Sequence, residues 1–155
     1  YDTLPPLECY PRQLNQVFLH LMTNAIEALS RGIDQPKIIT IRTELVTTPS
    51  EQGVVRIAIA DNGPGISQEL QSKIFDPFFT TKEIGQGTGL GLTVSYQIVV
   101  NQHQGHLRCY SEPGQGAEFV IELPVKYFHL LSHPQALEPQ PTLASEFARV
   151  AEVIN

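Results

Sequence analysis

The 155-residue sequence predicts an α/β domain on three observations. An apolar stripe at helical spacing occupies residues 12–30, an antiparallel pair of strands follows it, and a second helix runs into a closing hairpin. In order, residues 1–10 are Pro-rich and read as extended. The first helix, Arg12 to Ser30, places Leu14, Val17, Phe18, Leu21, Ala25, Ala28 and Leu29 on one face and is closed by Gly32. Strands are predicted from Lys37 to Val46 and from Val54 to Ala60, where Val55, Ile57 and Ile59 alternate with their neighbours; Pro49 and Gly53 mark the turn between them. Residues 61–91 carry a glycine or proline every few positions and only a short helix, Gln68 to Ile74. So long an irregular stretch inside a compact domain is usually functional or disordered. A helix from Thr88 to His103, stopped by Gly105, precedes a hairpin of His106–Ser111 and Ala117–Leu123 turned at Glu112–Gly116. Residues 1–124 thus make one domain. Residues 125–155 form an appendage: a linker with Pro134, Pro139 and Pro141, then a short amphipathic helix of Leu143, Phe147, Val150, Ala151 and Ile154.

Composition narrows the function. A net charge of −6 with scattered lysines and arginines supplies no basic stripe for nucleic acid or an acidic membrane surface. Cys9 and Cys109 fit neither a metal spacing nor a disulfide framework and read as buried free thiols. No apolar run approaches the ~20 residues that span a bilayer, and residues 1–10 lack the basic start and apolar core expected of a signal peptide. A cytoplasmic domain with no membrane contact of its own is expected, in a parent protein open to anchoring through other segments.

Three constellations carry chemistry. On the first helix, Gln16, His20, Asn24, Glu27 and Arg31 form a polar stripe. That is either a solvated face or a place where the Asn24 amide oxygen ligates Mg²⁺, with water and phosphate completing the shell. Asp61-Asn62-Gly63-Pro64-Gly65-Ile66 follows an apolar strand. Asp-Asn-Gly is good turn chemistry, yet a polar helix rather than a second strand comes after it. A carboxylate fixed there can accept from an exocyclic amine such as that of adenine, with glycines admitting backbone close to the ring. Gly85-Gln86-Gly87-Thr88-Gly89-Leu90-Gly91-Leu92 runs into a helix, where freed N–H groups cradle phosphate. No Gly-Lys-Ser/Thr is present, so this is not a Walker loop, and Leu90 stands where a dinucleotide fingerprint needs its third glycine. Between them, Phe75-Asp76-Pro77-Phe78-Phe79-Thr80-Thr81-Lys82 is a core cluster or the hinge of a lid, with Lys82 able to reach phosphate.

Asn24, Asp61–Ile66, Phe75–Lys82 and Gly85–Leu92, in that order, resemble the N, G1, F and G2 boxes of the sensor histidine kinase ATP-binding domain, over residues 8–124. The superfamily includes the ATPase domains of DNA gyrase, the Hsp90 chaperones and the MutL mismatch-repair proteins. The resemblance implies a two-layer α/β sandwich of the Bergerat type, a mixed sheet of about five strands with three helices on one face. It implies ATP and Mg²⁺ as cofactors, and transfer of the γ-phosphoryl to a histidine on a separate helical dimerisation domain, with a response regulator further on. By the same resemblance Asn24 holds the metal, and His20 and Lys82 join it at the reaction. Glu27, Asp61, Gly63, Gly65, Ile66, Phe79, Thr80, Lys82, Gly87, Thr88, Gly89, Leu90 and Gly91 line the nucleotide site, under a lid over residues 76–87.

Departures from the family pattern are local. His20 stands where the family usually has Asn and the ATPase branches have a Glu base; a base, a neutral metal-shell or phosphate donor, and a solvated side chain all remain open for it. Glu27 and Ala28 replace a Lys and an aromatic, and Ala117 replaces a Thr in the last hairpin, where water is expected to take its place. Ser132-His133-Pro134 is a chance match to the acceptor motif, beside a helix-breaking proline. The chain is expected to need its acceptor supplied. The rival readings are a gyrase- or chaperone-type ATPase, and a nucleotide sensor or serine-directed kinase of the anti-sigma type.

Overall fold

The computed structural model describes residues 4–30, 36–47, 53–81 and 87–125. The first helix, α1 (Pro11–Ser30), starts where Pro11 needs no N–H partner and where the Tyr10 carbonyl accepts from Gln13 and Leu14 at 3.0 and 3.1 Å. Its stripe Leu14, Val17, Leu21, Ala25 and Leu29 is buried, as the spacing predicts.

Strands β1 (Ile39–Thr47) and β2 (Gly53–Asp61) pair antiparallel, and β3 (His106–Ser111) and β4 (Ala117–Pro124) form the closing hairpin. The sheet order is β1-β2-β4-β3, so β2 and β4, distant in sequence, lie side by side at its centre. Alternation along these strands sorts the faces. Ile59, Phe119, Ile121, Leu123 and Leu107 meet Leu14, Val17 and Leu21 of α1 and Ile98 and Val99 of the second helical run in one core. On the other face Arg56 lies in register with Glu44 and Glu122 and bonds both, at 2.9 and 3.0 Å, while Arg42 pairs with Glu118.

The α/β two-layer class holds, with one correction to the sheet. Among the described residues it has four strands, in keeping with about five, but every pairing is antiparallel rather than mixed. Residues 4–10 form no helix and join no ladder. The short helix α2 covers only Gln68–Gln71, and turns carry the chain on to Phe78.

The second long helix also differs from expectation. It begins at Gly91 (α3, Gly91–Tyr96), with Leu90 as its N-cap, and continues through a π-helical segment, Gln97–Gln102. Thr88, expected inside it, lies in the preceding turn and accepts from the Leu90 N–H at 3.4 Å. At the far end Gln104, not Gly105, takes the left-handed conformation (φ 55). Gly105 is required because a β-carbon there would strike the Glu122 carbonyl oxygen.

Val125, placed in the appendage by the sequence, still donates to Gly53 O at 2.8 Å and is buried, so the domain reaches it. Residues 126–155, with the linker and amphipathic stretch, lie outside the described residues, as do Arg31 and Gly32. Cys9 and Cys109 are free but half-buried rather than buried. No helix among the described residues is long and apolar enough to cross a membrane.

Candidate nucleotide site

The site starts at the end of β2. Two residues beyond Ile59, the Asp61 side chain falls on the helix-facing side of the sheet. Its carboxylate accepts the Gly63 N–H at 2.8 Å and the N–H of Ala117. Burial raises the Asp61 pKa above the ordinary carboxylate value, and the two N–H bonds act against that rise. A carboxylate has about four lone-pair sites, so two remain for another donor. The same anion, after burial itself, helps push the Cys109 thiol up to about 12, which keeps it a thiol.

The loop after Asp61 is held from two sides. A β-carbon on Gly63 would sit 2.6 Å from Asp61 Oδ1 and 3.3 Å from Ala28 Cβ, so only glycine lets the loop press on α1. Gly65 has φ 73, and a β-carbon there would strike the Glu112 carbonyl. Its bareness serves the hairpin packed against it. Ser111 Oγ accepts the Ile66 N–H at 2.8 Å and donates to Gly116 O. Gln71 Nε2 donates to Ile66 O at 2.9 Å and Ser111 O at 2.7 Å, and Gly114 N–H reaches Pro64 O at 2.7 Å.

The glycine loop reaches α1 as well. Gly89 (φ 64) packs so closely on the Phe78 backbone that a β-carbon would collide with it. Phe78 itself has φ 66 and is 74% exposed, while Phe79 turns inward against the core. Gly91 faces the His20 ring, whose Cγ lies 3.6 Å from the position of a Gly91 β-carbon. His20 Nδ1 lies 3.3 Å from Ser95 Oγ, which donates to Gly91 O at 2.8 Å.

Asn24 is therefore bracketed on its own helix. One turn before it, His20 meets Gly91; one turn after it, Ala28 meets Gly63. The two loops that the sequence singled out straddle the one side chain that it chose for the metal. His20, Asn24, Glu27, Asp61, Gly63, Gly65, Ile66, Gly87, Gly89 and Gly91 are all half-buried or buried, and Thr80, Thr88 and Leu90 are exposed. Lys82, with Gly85 and Gln86, lies outside the described residues. Ser95, Ser111, Gln71 and the Ala117 N–H were not foreseen. Ser95 alone had a signal, a hydroxyl four residues after Gly91 at a fully buried helical position.

Among the described residues no three His, Cys, Asp or Glu side chains cluster as a metal cage. Mg²⁺ needs no such cage, because it keeps waters and phosphate oxygens and takes one or two protein oxygens. The Asn24 amide and the Glu27 carboxylate, on one face of α1, are such donors. A cleft of about 490 Å³ borders Asp61 from the hairpin side, but Glu112 and Glu118 on its lining have the wrong sign for a polyphosphate.

The family profile described as "Histidine kinase-, DNA gyrase B-, and HSP90-like ATPase" matches residues 9–127. Sporulation kinase E of Bacillus subtilis (strain 168) is 41% identical over 125 residues, 81% of this chain and 15% of that protein. The signal transduction histidine-protein kinase AtoS of Escherichia coli (strain K12) is 43% identical over 125 residues, 80% of this chain and 19% of that protein. The chain thus spans less than a fifth of the length of these curated relatives. The solved catalytic domain of histidine kinase ThkA superposes with a TM-score of 0.63 at 34% identity, covering 77% of this chain and 71% of that one.

Proposed function

Because the chain belongs to the family of histidine kinase-, DNA gyrase B- and HSP90-like ATPases, we propose that it is the ATP-binding catalytic domain of a sensor histidine kinase, acting on a histidine carried by a helical dimerisation domain. The observation that supports this most is the bracketing of Asn24 by the two loops, through Ala28–Gly63 and His20–Gly91. Bound Mg·ATP supplies the phosphoryl group and neutralises part of its charge. The chain's own part is positioning. Asp61 receives the adenine amine, which discriminates against the guanine carbonyl. Ser111 and Gln71 hold the Gly65–Ile66 backbone against which the base lies. Asn24, with Glu27 beside it, holds the cation, and the backbone of Gly87 to Gly91 takes the phosphates, a role that the sequence pattern extends to Lys82.

Downstream, a response regulator takes the phosphoryl group, and the domain works in the cytoplasm. The test is binding of a non-hydrolysable ATP analogue by calorimetry with and without Mg²⁺, then transfer from labelled ATP to a panel of helical acceptor domains. Mg²⁺-dependent binding and labelling of an acceptor histidine are expected. Steady-state ATP hydrolysis by the chain alone, with no acceptor labelled, would favour the ATPase reading instead.

A further inference from the structure

The buried hydroxyl of Ser95 has one proton and two neighbours, Gly91 O at 2.8 Å and His20 Nδ1 at 3.3 Å. A carbonyl oxygen only accepts, so for both contacts to be hydrogen bonds the Ser95 proton goes to Gly91 O. Ser95 Oγ then accepts, and His20 Nδ1 carries the hydrogen. In the neutral ring this leaves the lone pair on Nε2. His20 is half-buried and has no other hydrogen bond among the described residues, so that nitrogen is available. A nitrogen with a lone pair repels a phosphate oxygen and attracts a cation. Of the roles open to His20 as a neutral group at the phosphates, the bond to Ser95 selects cation binding over phosphate donation.

We propose that Ser95 is a positioning residue that fixes the His20 ring in its Nδ1–H form, and that His20 Nε2 ligates the divalent cation accompanying the nucleotide, one helical turn from Asn24. The inference rests on the nucleotide-binding reading above. It predicts a cation preference that an all-oxygen site lacks, because imidazole nitrogen favours Co²⁺ over Mg²⁺ more than an amide oxygen does. Outer partners that orient a ligating imidazole typically contribute 10–100-fold to metal affinity.

The test combines ¹⁵N NMR of the histidine rings with calorimetric titration of a non-hydrolysable ATP analogue in Mg²⁺ and in Co²⁺. Expected are the Nδ1–H tautomer in the neutral His20 ring, and a Co²⁺-over-Mg²⁺ affinity ratio that falls by about tenfold in His20→Asn. Ser95→Ala should also lower the ratio and let the Nε2–H tautomer appear. Ser95→Cys, similar in volume but a weak acceptor, should lie between, with cooperative melting checked for each. An Nε2–H tautomer in the wild-type protein would overturn the lock. A ratio unmoved in His20→Asn, while nucleotide still binds, would overturn the ligand role and leave the ATP-binding reading standing. No nucleotide binding with either cation would overturn both.

Discussion

The helical run from Gly91 to Gln102 has a histidine at each end, and the two are used differently. At the amino end His20 commits one ring nitrogen to Ser95 and, among the described residues, leaves the other uncommitted. At the carboxyl end His103 commits both: Nδ1–H donates to Ile98 O at 2.8 Å and Nε2 accepts the Tyr10 N–H at 3.0 Å. Its ring also stands edge-on to Tyr10, 5.4 Å between centroids. The backbone follows suit. The amino end is regular α-helix behind a glycine loop, while the carboxyl end widens into a π-helix whose last bond, His103 N–H to Ile98 O at 3.2 Å, shares its acceptor with the ring. His103 ties the chain entering α1 to the end of the helix, and nothing is left over for a ligand. Counting committed ring nitrogens separates a structural histidine from one free to act.

The sharpest break in this comparison is Gly89→Val, confined to the amino end. The φ of 64 disfavours a β-branched residue, and the new β-carbon collides with the Phe78 backbone. The loop must move, so nucleotide affinity should fall by about a hundredfold or more, roughly 3 kcal/mol. Calorimetry measures the loss, and cooperative melting of the core should survive it. Retained affinity would show that the loop conformation is irrelevant to phosphate binding.

Asp61→Asn comes next. Removing a charged acceptor should weaken ATP by about 1.5–3 kcal/mol while GTP changes little. The raised pKa adds a pH signature: because burial favours the neutral carboxyl, acidification removes the acceptor at a higher pH than an ordinary Asp would allow. ATP affinity of the wild type should therefore decline as pH falls through that raised value, and Asp61→Asn should flatten the decline. A profile unchanged by the substitution would assign the titration to another group.

These two sites show what was legible in the sequence. Turn chemistry and apolar alternation marked Asp61 at a strand end, and glycine density marked the loop that packs on Phe78 and leads into α3, because both depend on near neighbours in the chain. The partners of those loops were not legible. Gly65 needs its bareness for Glu112, forty-odd residues on, and Ala117 supplies Asp61 with a backbone N–H that no side chain advertises. The all-antiparallel sheet was likewise hidden, since the pairing of β2 with β4 joins segments separated by the whole site. The π-segment had no signal either: Gln97–Gln102 reads as ordinary helix until His103 is seen to take the Ile98 carbonyl.

At the carboxyl end, His103→Ala should destabilise the fold by about 1–2 kcal/mol, since it strips a partner from the Tyr10 N–H and from Ile98 O. Urea unfolding followed by circular dichroism gives the value, with nucleotide affinity of the folded protein nearly unchanged. A larger effect on affinity than on stability would mean that the two ends are coupled, and the division of labour between the histidines would not stand.

The smallest effect is expected for the stability of His20→Asn, the mirror of the previous substitution. Among the described residues His20 makes one hydrogen bond, at 3.3 Å, with a ring that is only half-buried. A single neutral bond contributes about 0.5–1.5 kcal/mol, and a long, partly solvated one belongs at the low end. Asn is short enough to avoid Gly91 and keeps a donor and an acceptor on the same helical face. The urea midpoint should therefore shift by less than about 1 kcal/mol, with the m-value constant. If His20→Asn instead costs as much stability as His103→Ala, His20 is a second staple between α1 and α3. Its uncommitted nitrogen would then be incidental, and the contrast between the two ends of the helix would vanish.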